Sequence, residues 1–150
     1  MKLFAPVTNA SDYVRTLNSP AATAKFKADY AALRACDALV LVLPAGADAH
    51  AEFGFVAGRN CPVFVLLPDA PSAPELMYLF PNAAVVANVD ELLAHLRQSP
   101  AIRKIYVASS WTRSLNHPAV VAALRAAEFE VFDYRAGGIV THSHRRNEND

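Results

Sequence analysis

The sequence predicts an α/β domain in which helices cover both faces of a doubly wound, five-stranded parallel sheet. Five short apolar segments, bounded by turn residues, are spaced along the 150-residue chain. Helical patterns separate these segments, and such alternation indicates parallel strands joined by crossover helices. The segments ALVLVL and PVFVLL contain no polar residue. Uninterrupted apolar runs of this kind are typical of strands that are buried on both faces.

Each strand is predicted from a short apolar run between turn formers. The runs are ALVLVL, PVFVLL, AAVVA, KIYVA and EFEVFDY, which place strands at 38–43, 62–67, 83–87, 104–108 and 128–134. Between them, alanine-rich stretches, caps and prolines predict helices. These are expected over 20–35, over about 49–59 with Asp48 as cap, in PELMYLF, from Asn88 to near Pro100, and from Pro118 to about 127. Residues 1–19 and 137–150 are expected to be an irregular arm and tail.

Composition supports a single domain spanning 1–150 and excludes several classes of protein. Apolar residues make up 53% of the chain, enough for a substantial core. Fourteen basic residues balance 14 acidic ones, so no electrostatic footprint for nucleic acid is present. No apolar run approaches the ~18 residues of a membrane span, and no signal-peptide pattern opens the chain. Cys36 and Cys61 lack a CxxC spacing, and two buried thiols in a cytoplasmic protein are expected.

Glu52 is the most informative candidate for chemistry. The apolar run 38–43 is followed by a Pro-Ala-Gly turn and then by the helical pattern that contains Glu52. Ligands of α/β proteins bind at the carboxyl ends of such strands. A carboxylate in the first turn of the helix would also feel the positive end of its dipole, which favours the ionised form. The pattern therefore predicts an anionic nucleophile at the rim of the sheet.

Two segments resemble the nucleoside 2-deoxyribosyltransferase family, including relatives that hydrolyse nucleotide N-glycosidic bonds. The first segment, 26–80, contains FKADYAALRACD, LVLPAGADAHAEFGFVAGRN and PVFVLLPDAPSAPELMY. The second, 104–135, reads KIYVASSWTRSLNHPAVVAALRAAEFEVFDYR and is similar to the amino-terminal part of the family. Because the order of the two is inverted, the chain resembles a circular permutant. A flavodoxin-like sheet of order 2-1-3-4-5 would then have its ligand between strands 104–108 and 38–43.

The resemblance implies three catalytic residues. Glu52 matches the nucleophile that attacks the anomeric carbon, Asp29 the aspartate that handles the departing base, and Tyr106 the tyrosine that positions the glutamate. Each also has a simpler interpretation. Glu52 would only stabilise a helix start, Asp29 would lie on a solvated helix face, and Tyr106 would be a core tyrosine.

Further residues are expected to contact the substrate. Ser109, Ser110 and Trp111 follow a strand at the proposed ligand edge, where hydroxyls and amides bind phosphate or sugar oxygens; Trp111 is equally well a core residue. The remaining candidates are Gly46, where the family carries an aspartate, with Asp48, His50, Glu75, which matches a residue that reaches a neighbouring subunit, and Arg135.

The resemblance implies cleavage or transfer of the N-glycosidic bond of a (deoxy)nucleoside or nucleotide through a glycosyl-glutamate intermediate. No cofactor and no metal are expected, since His142 and His144 have no carboxylate or cysteine pattern beside them. A homo-oligomer is expected, with a segment-swapped dimer as one form. The alternative, prompted by Gly46, is a catalytically inactive nucleotide-binding module. A third is a fragment whose pocket is completed only in an oligomer.

Overall fold

The computed structural model of the chain describes residues 7–110 and 115–136. The predictions that concern Trp111, His142, His144 and the tail 137–150 lie outside these residues. The described chain divides into two compact units, one formed by the chain up to residue 32 with the chain from residue 134, the other by residues 33–133. The single domain expected from the sequence stays a prediction.

The predicted parallel sheet of five strands is confirmed, and it lies in the unit 33–133. Its strands are β1 (Ala38–Val42), β2 (Val63–Leu66), β3 (Ala83–Val86), β4 (Lys104–Ser109) and β5 (Glu130–Asp133). All neighbouring pairs are parallel, in the order β3-β2-β1-β4-β5. Counted from β4, this is the flavodoxin-like order 2-1-3-4-5. The circular permutation itself stays a prediction.

Helices lie between the strands and before them. They are α1 (Ala10–Leu17), α2 (Pro20–Ala35), α3 (Ala47–Gly58), α4 (Val89–Arg97) and α5 (His117–Ala126), with 3-10 helices at Leu76–Leu79 and Tyr134–Ala136. Asn88 caps α4 as predicted, because its side chain accepts a hydrogen bond from the Glu91 amide at 2.9 Å. Among the described residues, no helix is both long and apolar enough to cross a membrane.

Helices cover both faces of the sheet. The side chains of Val40, Val107 and Leu124 belong to a buried cluster to which β1, β2, β4, α4 and α5 contribute. Because side chains alternate along a strand, Leu39 and its register partner Tyr106 point to the opposite face. Helix α3 covers that face with the buried residues Ala49, Phe53, Val56 and Ala57. The strands β1 and β4 are therefore enclosed on both sides, as their apolar sequences require.

Two predictions about helices were wrong. The arm predicted as irregular contains α1, which begins at Ala10 with Asn9 as its N-cap, because the Asn9 side chain accepts a hydrogen bond from the Asp12 amide at 2.8 Å. None of the residues of α1 is buried, and its apolar side chains Tyr13, Val14 and Leu17 are exposed. Helix α3 starts at Ala47, with Gly46 rather than Asp48 at its N-cap position. Glu52 therefore lies in the second turn, and Asp48 occupies the first.

The order of the strands places one switch point in the sheet. From β1 the chain continues outward through β2 and β3, and then returns to place β4 and β5 on the other side of β1. The helices that follow these neighbouring strands, α3 after β1 and α5 after β4, cover opposite faces of the sheet. In doubly wound sheets, ligands bind outside the carboxyl ends of the strands at such a switch point. A ligand site is accordingly expected at the carboxyl ends of β1 and β4.

Candidate functional site

Tyr106 and Glu52, which the sequence predicts to act together, are in direct contact. The phenol of Tyr106 donates a hydrogen bond to Oε2 of Glu52. Tyr106 lies in the middle of β4, and Glu52 lies in the second turn of α3, the helix that follows the neighbouring strand β1. The contact therefore bridges the two strands that flank the switch point.

The sheet fixes the Tyr106 ring firmly. The side chain is fully buried. Its ring stacks on that of Phe132, the register partner in β5, with centroids 5.1 Å apart and the planes inclined by 18°. Stacked cross-strand aromatic pairs add to the stability of a sheet. The hydroxyl is thus presented to Glu52 by a ring that has little freedom to move.

Glu52 is only half-buried, unlike its partner. Because the effect of the helix dipole is weaker in the second turn than in the first, it stabilises the ionised form of Glu52 less than the sequence predicted. The hydrogen bond from Tyr106 instead favours the ionised carboxylate, because a phenol donates to the charged form. A partly exposed, hydrogen-bonded carboxylate has the access that a nucleophile requires and a defined orientation.

The carboxyl ends of β1 and β4 are tied together next to this pair. The Ser110 amide donates a hydrogen bond to the Pro44 carbonyl at 3.1 Å. Pro44 follows β1, and Ser110 follows β4. The predicted contact residues Ser109, at the end of β4, and Ser110, just after it, are largely buried, with 3% and 9% of their surface exposed. Their hydroxyls are consequently placed inside the edge of the sheet rather than on its surface.

His50 is held on a different side of α3 from Glu52. Its Nδ1 lies 2.9 Å from the Gly46 carbonyl and its Nε2 lies 2.8 Å from the Tyr78 hydroxyl. A carbonyl only accepts, so in the neutral ring Nδ1 carries the proton and Tyr78 donates to Nε2. Burial, followed by the charge of Glu75, raises the pKa of Tyr78, which keeps this phenol protonated as a donor. His50 therefore fastens the 3-10 helix Leu76–Leu79 to α3.

Asp29 lies in the other compact unit, where it pairs with Lys25. The two side chains form an ion pair one turn apart on α2, and both are largely shielded from solvent, with 5% of Lys25 and 17% of Asp29 exposed. The Lys25 ammonium also lies 5.4 Å from the centroid of the Tyr134 ring. The interpretation of Asp29 as a solvated surface residue is therefore wrong. An adjacent ammonium favours an ionised carboxylate, which accepts hydrogen bonds rather than donating them.

The other predicted contact residues occupy more exposed positions. Asp48 is exposed in the first turn of α3, Glu75 is exposed at the start of the 3-10 helix Leu76–Leu79, and Arg135 is partly buried in the 3-10 helix Tyr134–Ala136. Gly46, at the N-cap position of α3, has no heavy atom within 4 Å of the place where a Cβ would lie. Steric space therefore does not explain a glycine at this position.

The sequence did not indicate a hydrogen-bonded series of three polar side chains, here called the polar chain, which joins the end of β4 to α5 and β5. Ser109 Oγ lies 2.6 Å from His117 Nδ1, and His117 Nε2 lies 2.6 Å from Asp133 Oδ1. His117 is 1% exposed at the first position of α5. In the sequence, His117 stands directly before Pro118, where it looks like part of an ordinary helix start. The only available signal was its position just after a strand that ends at the switch point.

Within the described ranges, no group of three or more histidine, cysteine or acidic side chains is arranged to hold a metal ion. Comparison with protein-family models, with curated proteins and with solved structures found no match for this chain. The case for a function therefore rests on the geometry of the site and on the resemblance of the sequence segments.

Proposed function

We propose that the protein cleaves or transfers the N-glycosidic bond of a (deoxy)nucleoside or nucleotide, with Glu52 as the nucleophile. The observation that carries the proposal is the hydrogen bond from Tyr106 to Glu52 at the switch point of the sheet. A half-buried carboxylate held by a buried phenol fits nucleophilic attack better than a purely structural contact, because one end of the pair is accessible to a ligand.

In the first step, a carboxylate oxygen of Glu52 attacks the anomeric carbon of the sugar while the bond to the base nitrogen breaks. The electron pair of that bond leaves with the base, which takes up a proton, and a glycosyl ester of Glu52 remains. In the second step, water or the nitrogen of another base attacks the same carbon from the opposite side. The ester bond breaks, the attacking water or base nitrogen loses a proton to solvent, and the carboxylate is regenerated, with net retention of configuration.

Tyr106 contributes to both steps in this mechanism. Its hydrogen bond orients the carboxylate before the attack, so little rotamer freedom is lost when the ester forms. In the second step, negative charge returns to the carboxylate as it leaves the sugar. A donor already in place stabilises this developing charge without reorganisation.

The expected role of Asp29 remains a proposal, namely that it handles the departing base. Its pairing with Lys25 supports a carboxylate that accepts a hydrogen bond from the base, with the proton of the leaving group supplied by another source. An Asp29→Asn variant that releases base as fast as the wild-type protein would remove Asp29 from the mechanism. The homo-oligomer likewise stays a prediction, which the mass in solution measured against concentration tests.

The direct test is a panel of 2′-deoxynucleosides, ribonucleosides and their 5′-monophosphates, with the release of free base followed by chromatography. Glu52→Gln keeps the shape of the side chain but removes the charge, so it should abolish release. Glu130→Gln changes an exposed glutamate on the edge strand β5 and serves as the matched control. Intact mass after rapid quenching should show a pentosyl group on the wild-type chain and none on Glu52→Gln. Base release that persists in Glu52→Gln would refute the proposal.

A wild-type protein that binds these compounds without releasing base from any of them would also refute the proposed reaction. It would favour the nucleotide-binding module that the sequence analysis left as an alternative. Binding is measured by calorimetry with the same panel. The same compounds therefore distinguish an enzyme, which releases base, from a binding module, which does not.

A further inference from the structure

The polar chain Ser109–His117–Asp133 lies on the face of the sheet opposite Glu52. Asp133 is the register partner of Val107, whose side chain belongs to the buried cluster beneath α4 and α5. Ser109 lies two residues after Val107 and therefore points to the same face. Val120, Val121 and Leu124 pack in this cluster, so the three polar groups stand at the border of an otherwise apolar layer. Buried polar groups are costly unless they are hydrogen-bonded, and each of these is.

The direction of the hydrogen bonds in the chain follows from the chemistry of its end members. An ionised carboxylate only accepts, so Nε2 of His117 carries a proton that points to Asp133. In the neutral ring Nδ1 is then an acceptor, and the Ser109 hydroxyl donates to it across 2.6 Å. Ser109 Oγ is also 3.4 Å from the Ser110 carbonyl. The single hydroxyl proton goes to the nearer acceptor, the imidazole nitrogen, which fixes the rotamer of Ser109.

The three residue types are those of a hydrolytic triad, but the geometry does not suit one. Ser109 is 3% exposed, so its oxygen is not accessible to an acyl group. In triads on α/β sheets, the amide after the nucleophile stabilises the oxyanion. Here that amide belongs to Ser110 and already donates to the Pro44 carbonyl. The chain is suited to holding the backbone at the end of β4 rather than to attacking a substrate.

We propose that His117, oriented by Asp133, is a positioning residue that acts through Ser109 to hold the carboxyl end of β4 at the switch point. The next residue, Ser110, carries this restraint to Pro44 and so to the loop that leads into α3 and Glu52. The carboxyl end of β4 is thus held by the polar chain on one face of the sheet, and Tyr106 contacts Glu52 on the other face. The consequence for turnover rests on the proposed function, whereas the consequence for the Ser110 amide does not.

The first experiment measures hydrogen exchange at the Ser110 amide by NMR and needs no substrate. His117→Leu removes both bonds of the imidazole, and Ser109→Ala removes only the hydroxyl; exchange at Ser110 should accelerate about tenfold or more in each. His117→Gln places an acceptor and a donor near the same partners and should largely restore protection. Val121→Ala removes buried methyl groups from the same helix, α5, and leaves the hydrogen bonds of Ser109, His117 and Asp133 in place. It is the control for general destabilisation.

Equal exchange at Ser110 in Ser109→Ala and Val121→Ala would overturn the inference, even if His117→Leu fails to fold. The tautomer provides a second check, because long-range proton–nitrogen correlations in the wild-type protein should show Nε2 protonated and Nδ1 bare. The opposite tautomer would also overturn it.

The second experiment uses the best substrate from the base-release panel. The KM of Ser109→Ala and His117→Leu should rise about tenfold while kcat changes less, with recovery in His117→Gln and a wild-type KM in Val121→Ala. No base release by the wild-type protein, together with accelerated Ser110 exchange in the variants, would refute the proposed function and leave the positioning role intact. Base release with unchanged KM in both variants would refute the positioning role alone.

Discussion

Tyr106 and Glu52 are hydrogen-bonded although 54 positions separate them in the chain. The contact depends on the order of the strands, because β4 pairs with β1 rather than with its predecessor β3. Helix α3 follows β1 and contacts both β1 and β4, so its second turn faces the middle of β4. The topology of the sheet, rather than the local sequence, is what brings the phenol and the carboxylate together.

Replacement of Tyr106 by phenylalanine should lower the rate of base release about 10- to 100-fold. A hydrogen bond to a charged group contributes about 1.5–3 kcal/mol, and each ~1.4 kcal/mol of lost transition-state stabilisation slows a reaction tenfold. The phenylalanine ring keeps the stacking on Phe132, so the sheet should remain intact. The kcat of the variant is compared with that of Tyr13→Phe, which alters an exposed tyrosine of α1. Equal rates in the two variants would contradict a role for the Tyr106 hydroxyl.

Lys25→Met should destabilise the protein far more than Arg15→Met. The Lys25–Asp29 pair is shielded, and removal of the lysine leaves a largely buried carboxylate without its ion-pair partner, at a cost of about 2–4 kcal/mol. Arg15 is 76% exposed in its pair with Asp12, and such a pair contributes less than about 1 kcal/mol. Urea unfolding of both variants measures the difference. Losses of the same size would show that the Lys25–Asp29 pair behaves as a surface pair.

Asp37 is expected to matter for stability and not for activity. Its Oδ2 accepts hydrogen bonds from the amides of Arg103 and Lys104, at 2.9 and 2.8 Å, so it joins the amino ends of β1 and β4. Asp37→Ala should cost about 1–2 kcal/mol in urea unfolding, and Asp37→Asn should cost less because one acceptor remains. Base release should stay at the wild-type rate, since the site lies toward the opposite edge of the sheet. A large loss of kcat in a folded Asp37→Ala protein would contradict this separation.

The two cysteines are free thiols and should differ in reactivity. The sequence analysis expected both to be buried; Cys36 is 4% exposed, but Cys61 is only half-buried because it lies in the loop before β2. Burial raises the pKa of Cys36, with the positive charge of Arg59 partly opposing the effect. Native alkylation with iodoacetamide, followed by mass spectrometry, should therefore modify Cys61 first and Cys36 only after unfolding. Modification of Cys36 at the same rate would argue against its burial.

The raised pKa of Cys36 also gives stability a dependence on pH. Above the ordinary thiol pKa, the unfolded chain has lost this proton while the folded chain retains it. The stabilising contribution is thus complete below that value, and it is lost as the pH rises through the folded pKa. The free energy of unfolding should fall from about pH 8.5 upward, and Cys36→Ala should fall less steeply. Parallel slopes for the two proteins would exclude Cys36 as the source.

The sheet was predictable because its strands are marked by composition alone. The runs at β1 and β2 are apolar throughout, and burial on both faces is the only environment that suits them. Glu52 and Tyr106 could be paired in advance because the resemblance of the two segments implies a tyrosine that positions the glutamate. Local periodicity alone would not have provided the pairing.

The features that the sequence did not reveal depend on partners that are distant in the chain, or lie in segments where buried and exposed positions have similar residues. His117 and Asp133 are 16 positions apart and meet only because β5 pairs with β4. Lys25 looks like a solvated residue of α2, since this helix has no strongly apolar face that would distinguish buried from exposed positions. The start of α3 was placed too late because Gly46 caps without a side chain, whereas Asp48 is the residue type that usually marks a helix start.

The arrangement of the strands along the chain has a consequence for synthesis on the ribosome. The strands β1, β2 and β3 are neighbours in the sheet and consecutive in the chain, so they can assemble as soon as they emerge from the exit tunnel. On the other side of β1, the backbone donors and acceptors lack a neighbouring strand until β4 has been translated. Glu52 is therefore made well before the phenol that holds it, and the candidate site is completed only when β4 has been synthesised.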